Sequence, residues 1–112
     1  MTRKAKGKTG ILKAMNDRTY KALERAGIAE APIASLDYEQ QLFALTPRTL
    51  LFQQSEEGEQ QRVTLRDVTR IHSDQSGTLR VEAGERTAIT ASLLGYDPGR
   101  VQRFFQQVRD AT

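Results

Sequence analysis

The sequence has no cysteine, no tryptophan, a single histidine, three prolines and no long apolar run. Without cysteine there is no disulfide, no thiolate nucleophile and no cysteine-ligated zinc or iron–sulfur centre. A cytoplasmic setting agrees with that absence. No segment approaches the roughly 18 consecutive apolar residues of a membrane-crossing helix, and the basic start, Met1–Gly10, has no apolar signal-peptide core behind it. Aromatics are few, four Phe and three Tyr, so the interior is expected to be aliphatic. The length, 112 residues at 38% hydrophobic content, supports one core.

Acid is missing from the first sixteen residues, which carry Arg3, Lys4, Lys6, Lys8 and Lys13. Residues 17–112 hold the other 12 basic groups and all 14 acidic ones, so the arm is +5 and the body −2. Any pull on a polyanion therefore belongs to the arm. Residues 1–10 have nothing to bury and read as a disordered basic tail. Gly7-Lys8-Thr9 imitates the end of a phosphate-binding P-loop, but Thr2 stands where that loop needs its first glycine and no strand precedes it.

What is present divides into helix, connector and strands. Residues 11–27 read as a helix with Leu12, Met15, Thr19, Tyr20, Leu23 and Ala26 on one face. Asn16 and Asp17 are available as caps, and Gly27 then suits the left-handed position past the helix end, which lets Ile28 fold back on Leu23. Residues 28–40, interrupted by Pro32, form a connector with room for an edge strand. From Gln41 onward, apolar runs alternate with turn residues at the spacing of an all-β unit, with strands near 41–46, 49–55, 60–66, 68–73, 78–83 and 86–93. Leu79, Val81 and Ala83 point inward, as do Ile89, Ala91 and Leu93 on the returning strand. Pro47 suits a type I turn with Thr46 bonding back to it. The last helix starts at an Asp97 cap with Pro98 behind it and buries Val101, Phe104, Phe105 and Val108.

Leu45-Thr46-Pro47-Arg48-Thr49-Leu50-Leu51-Phe52, the segment Val63-Thr64-Leu65-Arg66-Asp67-Val68-Thr69-Arg70-Ile71 and the Phe104-Phe105 helix together resemble the bacterial pleckstrin-homology-like (PH-like) class, which includes YokE-like and GRAM-like members. The resemblance implies an α+β, mainly β fold: a bent antiparallel barrel of six or seven strands over residues 41–111, capped by the C-terminal helix. The N-terminal helix and basic tail are additions to it. It implies a binding or assembly role, and no fixed ligand, catalytic residues or cofactor. The basic loop that lipid-binding relatives carry between their first two strands is reduced here to Pro47-Arg48.

His72, with Asp67, Asp74 and serines nearby, permits a hydrolytic triad on paper; the sequence has no nucleophile elbow, and a histidine at a strand end is the plainer reading. One histidine without cysteine makes no zinc site. The cluster Glu56-Glu57-Gly58-Glu59 reads as a solvated hairpin tip without the ligand spacing of a calcium loop. Arg62, Arg66 and Arg70, spaced by four, are expected to share a sheet face that, with Arg80 beside it, forms an anion-binding surface or pairs with Asp67, Asp74 and Glu82. The expected function is a non-enzymatic module for protein–protein interaction or self-assembly, with no metal and no cofactor. The alternative is a nucleic-acid-associated protein that holds polyanion through Arg3, Lys4, Lys6, Lys8 and Lys13 and through Arg62, Arg66 and Arg70. An anionic membrane surface ranks third.

Overall fold

The computed structural model describes residues 17–112. The basic segment 1–10 and positions 11–16 of the expected first helix lie outside the described residues. Helix α1 spans Asp17–Arg25, and seven strands follow: β1 (Ala34–Tyr38), β2 (Gln41–Leu45), β3 (Thr49–Gln53), β4 (Gln60–Thr64), β5 (Arg70–Ser73), β6 (Thr78–Ala83) and β7 (Arg86–Ser92). Helix α2 (Pro98–Ala111) ends the described chain. All strand pairs are antiparallel, in one sheet of order β1-β2-β3-β4 and a second of order β5-β6-β7. The protein is thus α+β, mainly β. No helix among the described residues is long and apolar enough to cross a membrane.

The run Leu42-Phe43-Ala44-Leu45 is continuous in sequence because the first sheet is covered on both faces. Leu36, Phe43, Leu45, Leu50, Phe52 and Val63 face the second sheet and α2, while Leu42, Ala44 and Leu51 face α1 through Ala22 and Leu23. The α1 end is closed as its sequence promised. Gly27 takes φ +75, its N–H donates to Glu24 O at 3.0 Å, and the Ile28 N–H donates to Leu23 O at 2.9 Å. That pair of bonds satisfies carbonyls that the helix leaves open.

Helix α2 also begins as expected: Asp97 accepts from the Arg100 N–H at 2.9 Å, with Pro98 in the first turn. Its Phe104, Phe105 and Val108 are buried. The Phe43 ring lies 5.9 Å from that of Phe104 and 5.3 Å from that of Phe105, so the helix seats on the middle of the first sheet. In the second sheet Leu79, Val81, Ile89 and Ala91 are buried, and Ala83 and Leu93 pack against them. A register shift at Val81/Glu82 puts Ala88 inward beside Ile89.

Three expectations need correction. The seven strands form two sheets and no closed barrel: at the seam, the Thr90 N–H donates to the side chain of Gln61 at 2.8 Å, and α2 lies along β1 on the far side. The stretch 28–40 does supply the edge strand it had room for: β1 joins the first sheet because Leu36 pairs with Phe43 and buries with it. The turn between the first two strands is therefore Glu39-Gln40, which carries no base, whereas Pro47-Arg48 joins β2 to β3. Finally, β4 stops at Thr64 and residues Leu65–Asp67 form a 3-10 turn, so no single strand runs through Arg62, Arg66 and Arg70.

Candidate functional site: an arginine-rimmed groove at the end of helix α2

The 3-10 turn sends its two neighbouring arginines in different directions. Arg62, on the outer face of β4, donates to Ala26 O at 2.7 Å. Together with Gln60, whose amide donates to Ala22 O at 3.0 Å, it closes the C-terminal end of α1. A cation there also meets the negative end of the helix dipole. Arg62 is accounted for by the fold and leaves the anion-binding set.

Arg66 and Arg70 stay in that set, and the fold adds two arginines that sequence spacing did not connect with them. A groove of about 620 Å³ runs between the end of α1, the β2–β3 turn and the last residues of α2, with Arg48 and Arg66 on its walls and Ile28, Pro47 and Leu65 among its apolar lining. A second hollow of about 140 Å³ continues past Thr112, where Arg70 and Ile71 of β5 face Arg109 of α2. Arg48, Arg66, Arg70 and Arg109 thus border one continuous surface. Arg109 lies 39 positions beyond Arg70 in the chain, and only the return of α2 across the sheets joins them.

Arg48 is held in place although 82% of its side chain is exposed. Its Nε lies 3.0 Å from Glu30, and the other Glu30 oxygen accepts from the hydroxyl of the fully buried Thr46 at 2.7 Å. That hydroxyl in turn accepts the Thr49 N–H at 3.0 Å, so the β2–β3 turn and the arginine are fixed as one unit. Among the described residues, the side chains of Arg66, Arg70 and Arg109 have no hydrogen bond or ion pair. The negative end of α2 offsets roughly half a unit of charge. Exposed Asp67 and Asp110 adjoin Arg66 and Arg109 in sequence but make no ion pair with them, so the three guanidinium groups are left for a ligand.

The groove runs into the outer edge of β5. Among the described residues β5 pairs only with β6, so alternate backbone N–H and C=O groups along it face away from the sheet. β1, β4 and β7 also end their sheets: β1 packs against α2, and β4 and β7 lie against each other where the Thr90 N–H donates to the Gln61 side chain.

Other singled-out groups fall into structural roles. His72 Nε2 lies 3.0 Å from Glu82, and Arg80 lies 2.9 Å from Asp74, both cross-strand or turn pairs on the second sheet. Hydrogen bonds from Ser76, then Arg80, then the Thr78 N–H hold the Asp74 carboxyl well below the usual carboxylate range, which ties it to the β5–β6 turn. Glu56, Glu57 and Glu59 are exposed on the β3–β4 loop. Arg3, Lys4, Lys6, Lys8 and Lys13 lie outside the described residues. Comparison with protein-family models, with curated proteins and with solved structures finds nothing that matches this chain.

Proposed function

We propose that the chain is a non-enzymatic, PH-like binding module that takes an acidic, extended protein segment in the groove between β5 and the end of α2. Seven antiparallel strands followed by a C-terminal helix agree in number and order with the six or seven strands and closing helix that the PH-like resemblance implies, and this supports the reading. The observation that carries it is the meeting of an open strand edge with three arginines that have no partner among the described residues. An edge strand supplies backbone pairing to an extended peptide, and the arginines select for acid. Exposed Tyr38 lies elsewhere, beside buried Tyr96 just ahead of α2, so among the described residues the groove has no stacking platform for bases.

The nucleic-acid alternative loses Arg62 to the end of α1 and keeps its arm, Arg3, Lys4, Lys6, Lys8 and Lys13. Anionic membrane recruitment is the weaker reading, since the turn between the first two strands is Glu39-Gln40.

The test is fluorescence anisotropy with labelled hexaglutamate, in a background where Arg3, Lys4, Lys6 and Lys8 are replaced by Ala to remove the arm's own attraction. Binding should persist in that background and weaken at least about tenfold with Arg66→Ala plus Arg70→Ala, a loss of about 1.4 kcal/mol. Affinity that ignores those two substitutions would refute the groove.

A further inference from the structure

The body carries its own acidic counterpart to the groove, placed where it cannot reach that groove in the same molecule. Glu56, Glu57 and Glu59 are exposed on the loop between β3 and β4. The loop is held from behind: Arg25 donates to Gly58 O, the Gly58 N–H donates to Ser55 O at 3.2 Å, and the Gln54 N–H donates to Glu59 O at 3.4 Å. Arg25 thus takes a backbone carbonyl and leaves the carboxylates free. Lys21 lines the same hollow as Glu56 and Glu57 without an ion pair to either.

The strand register places this loop and the Glu39-Gln40 turn at one end of the first sheet, and the β2–β3 turn and the 65–67 turn at the other. Five-residue strands separate the two ends by about 17 Å. The acidic loop and the arginine groove therefore point away from each other, and only a second copy brings them into contact.

We infer that the groove's partner is the acidic β3–β4 loop of another copy of this chain, in a head-to-tail association. The inference rests on the groove reading given above and adds the identity of the occupant. Pairing of one β5 edge with another across a two-fold axis would set Arg70 of one copy opposite Ser73 of the next and would leave the acidic loop without a partner. A heterologous contact between loop and groove keeps both ends of every molecule usable, so the assembly stays open and grows with concentration. Because its contacts are exposed charge pairs, it weakens as salt shortens the screening length from about 10 Å at 0.1 M toward about 3 Å at 1 M.

Sedimentation equilibrium on the full chain at low salt tests this. The average mass should rise with concentration without a plateau and fall back toward monomer in high salt. A groove variant, Arg66→Ala with Arg70→Ala and Arg109→Ala, and a loop variant, Glu56→Ala with Glu57→Ala and Glu59→Ala, should each be monomeric while keeping the wild-type circular dichroism. Mixed together, they should form a one-to-one complex and nothing larger, because each retains one working end. A chain that stays monomeric while hexaglutamate still binds the groove overturns the second copy as partner and leaves the groove reading standing. Absence of both removes both. A closed dimer that survives either variant, or a monomer whose groove binds an oligothymidylate in place of the peptide, also overturns the inference.

Discussion

The guanidinium of Arg62 donates to the carbonyl of Ala26 across 2.7 Å, so this arginine belongs to the end of α1 while Arg66, one 3-10 turn further on, faces a groove. Replacing Arg62 with Ala should lower stability by about 1 kcal/mol, the worth of one hydrogen bond to a helix end. Its affinity for hexaglutamate should stay at the wild-type value. Urea unfolding and peptide anisotropy on the same variant check both halves.

Helix α2 seats through its aromatic pair, and Phe105 makes edge contacts with Phe43 at 5.3 Å and with Phe104 at 5.0 Å. Phe105→Ala should cost about 3–5 kcal/mol. On the opposite face, exposed Arg103 changed to Ala should stay within about 0.5 kcal/mol of wild type. Chemical denaturation of the two variants measures the contrast.

Two glycines at positive φ should respond differently to alanine. Gly27 has φ +75 with open space where a Cβ would stand, so Gly27→Ala should cost only the left-handed backbone penalty, about 1–2 kcal/mol. Gly95 has φ +90, and its Cβ would run into the ring of Tyr38, so Gly95→Ala should cost more than Gly27→Ala. Thermal melts of both variants rank them.

Burial, with the nearby Asp37 charge adding to it, pushes the Tyr96 phenol above its ordinary value of 10.0, and its hydroxyl donates to Gln41 at 3.1 Å. A group whose ionisation is raised in the folded state contributes stability that is complete below its unfolded value. That contribution is lost as pH rises past about 10 toward the folded value. Stability should therefore decline above about pH 10 more steeply in the wild type than in Tyr96→Phe. Denaturation at several alkaline pH values reads the difference.

The sequence made the fold's local devices legible because they depend on neighbours. Asp97-Pro98 opens α2, Gly27-Ile28 closes α1, and Thr46-Pro47 turns the chain, each through hydrogen bonds spanning five positions or fewer. Strand β1 was harder to see, since Ser35 and Asp37 alternate with Ala34, Leu36 and Tyr38 over only five residues and so short a pattern resembles a loop. The spacing of Arg62, Arg66 and Arg70 misled because a 3-10 turn breaks the two-residue period of a strand at Leu65. The groove was the least legible part. It joins Arg48, Arg66, Arg70 and Arg109 from four elements, and no local pattern records which distant segments a returning helix brings together.

The measurement that meets the central claim most directly is an amide nuclear magnetic resonance titration of the full chain with unlabelled hexaglutamate. The account predicts saturable shifts at Arg66, Thr69–His72 and Arg109–Thr112, with the amides of Glu39 and Gln40 unmoved and those of Glu56–Glu59 moving only as the acidic loop leaves the groove of a neighbouring copy. Shifts confined to residues 3–13, with β5 and the end of α2 silent, would contradict it.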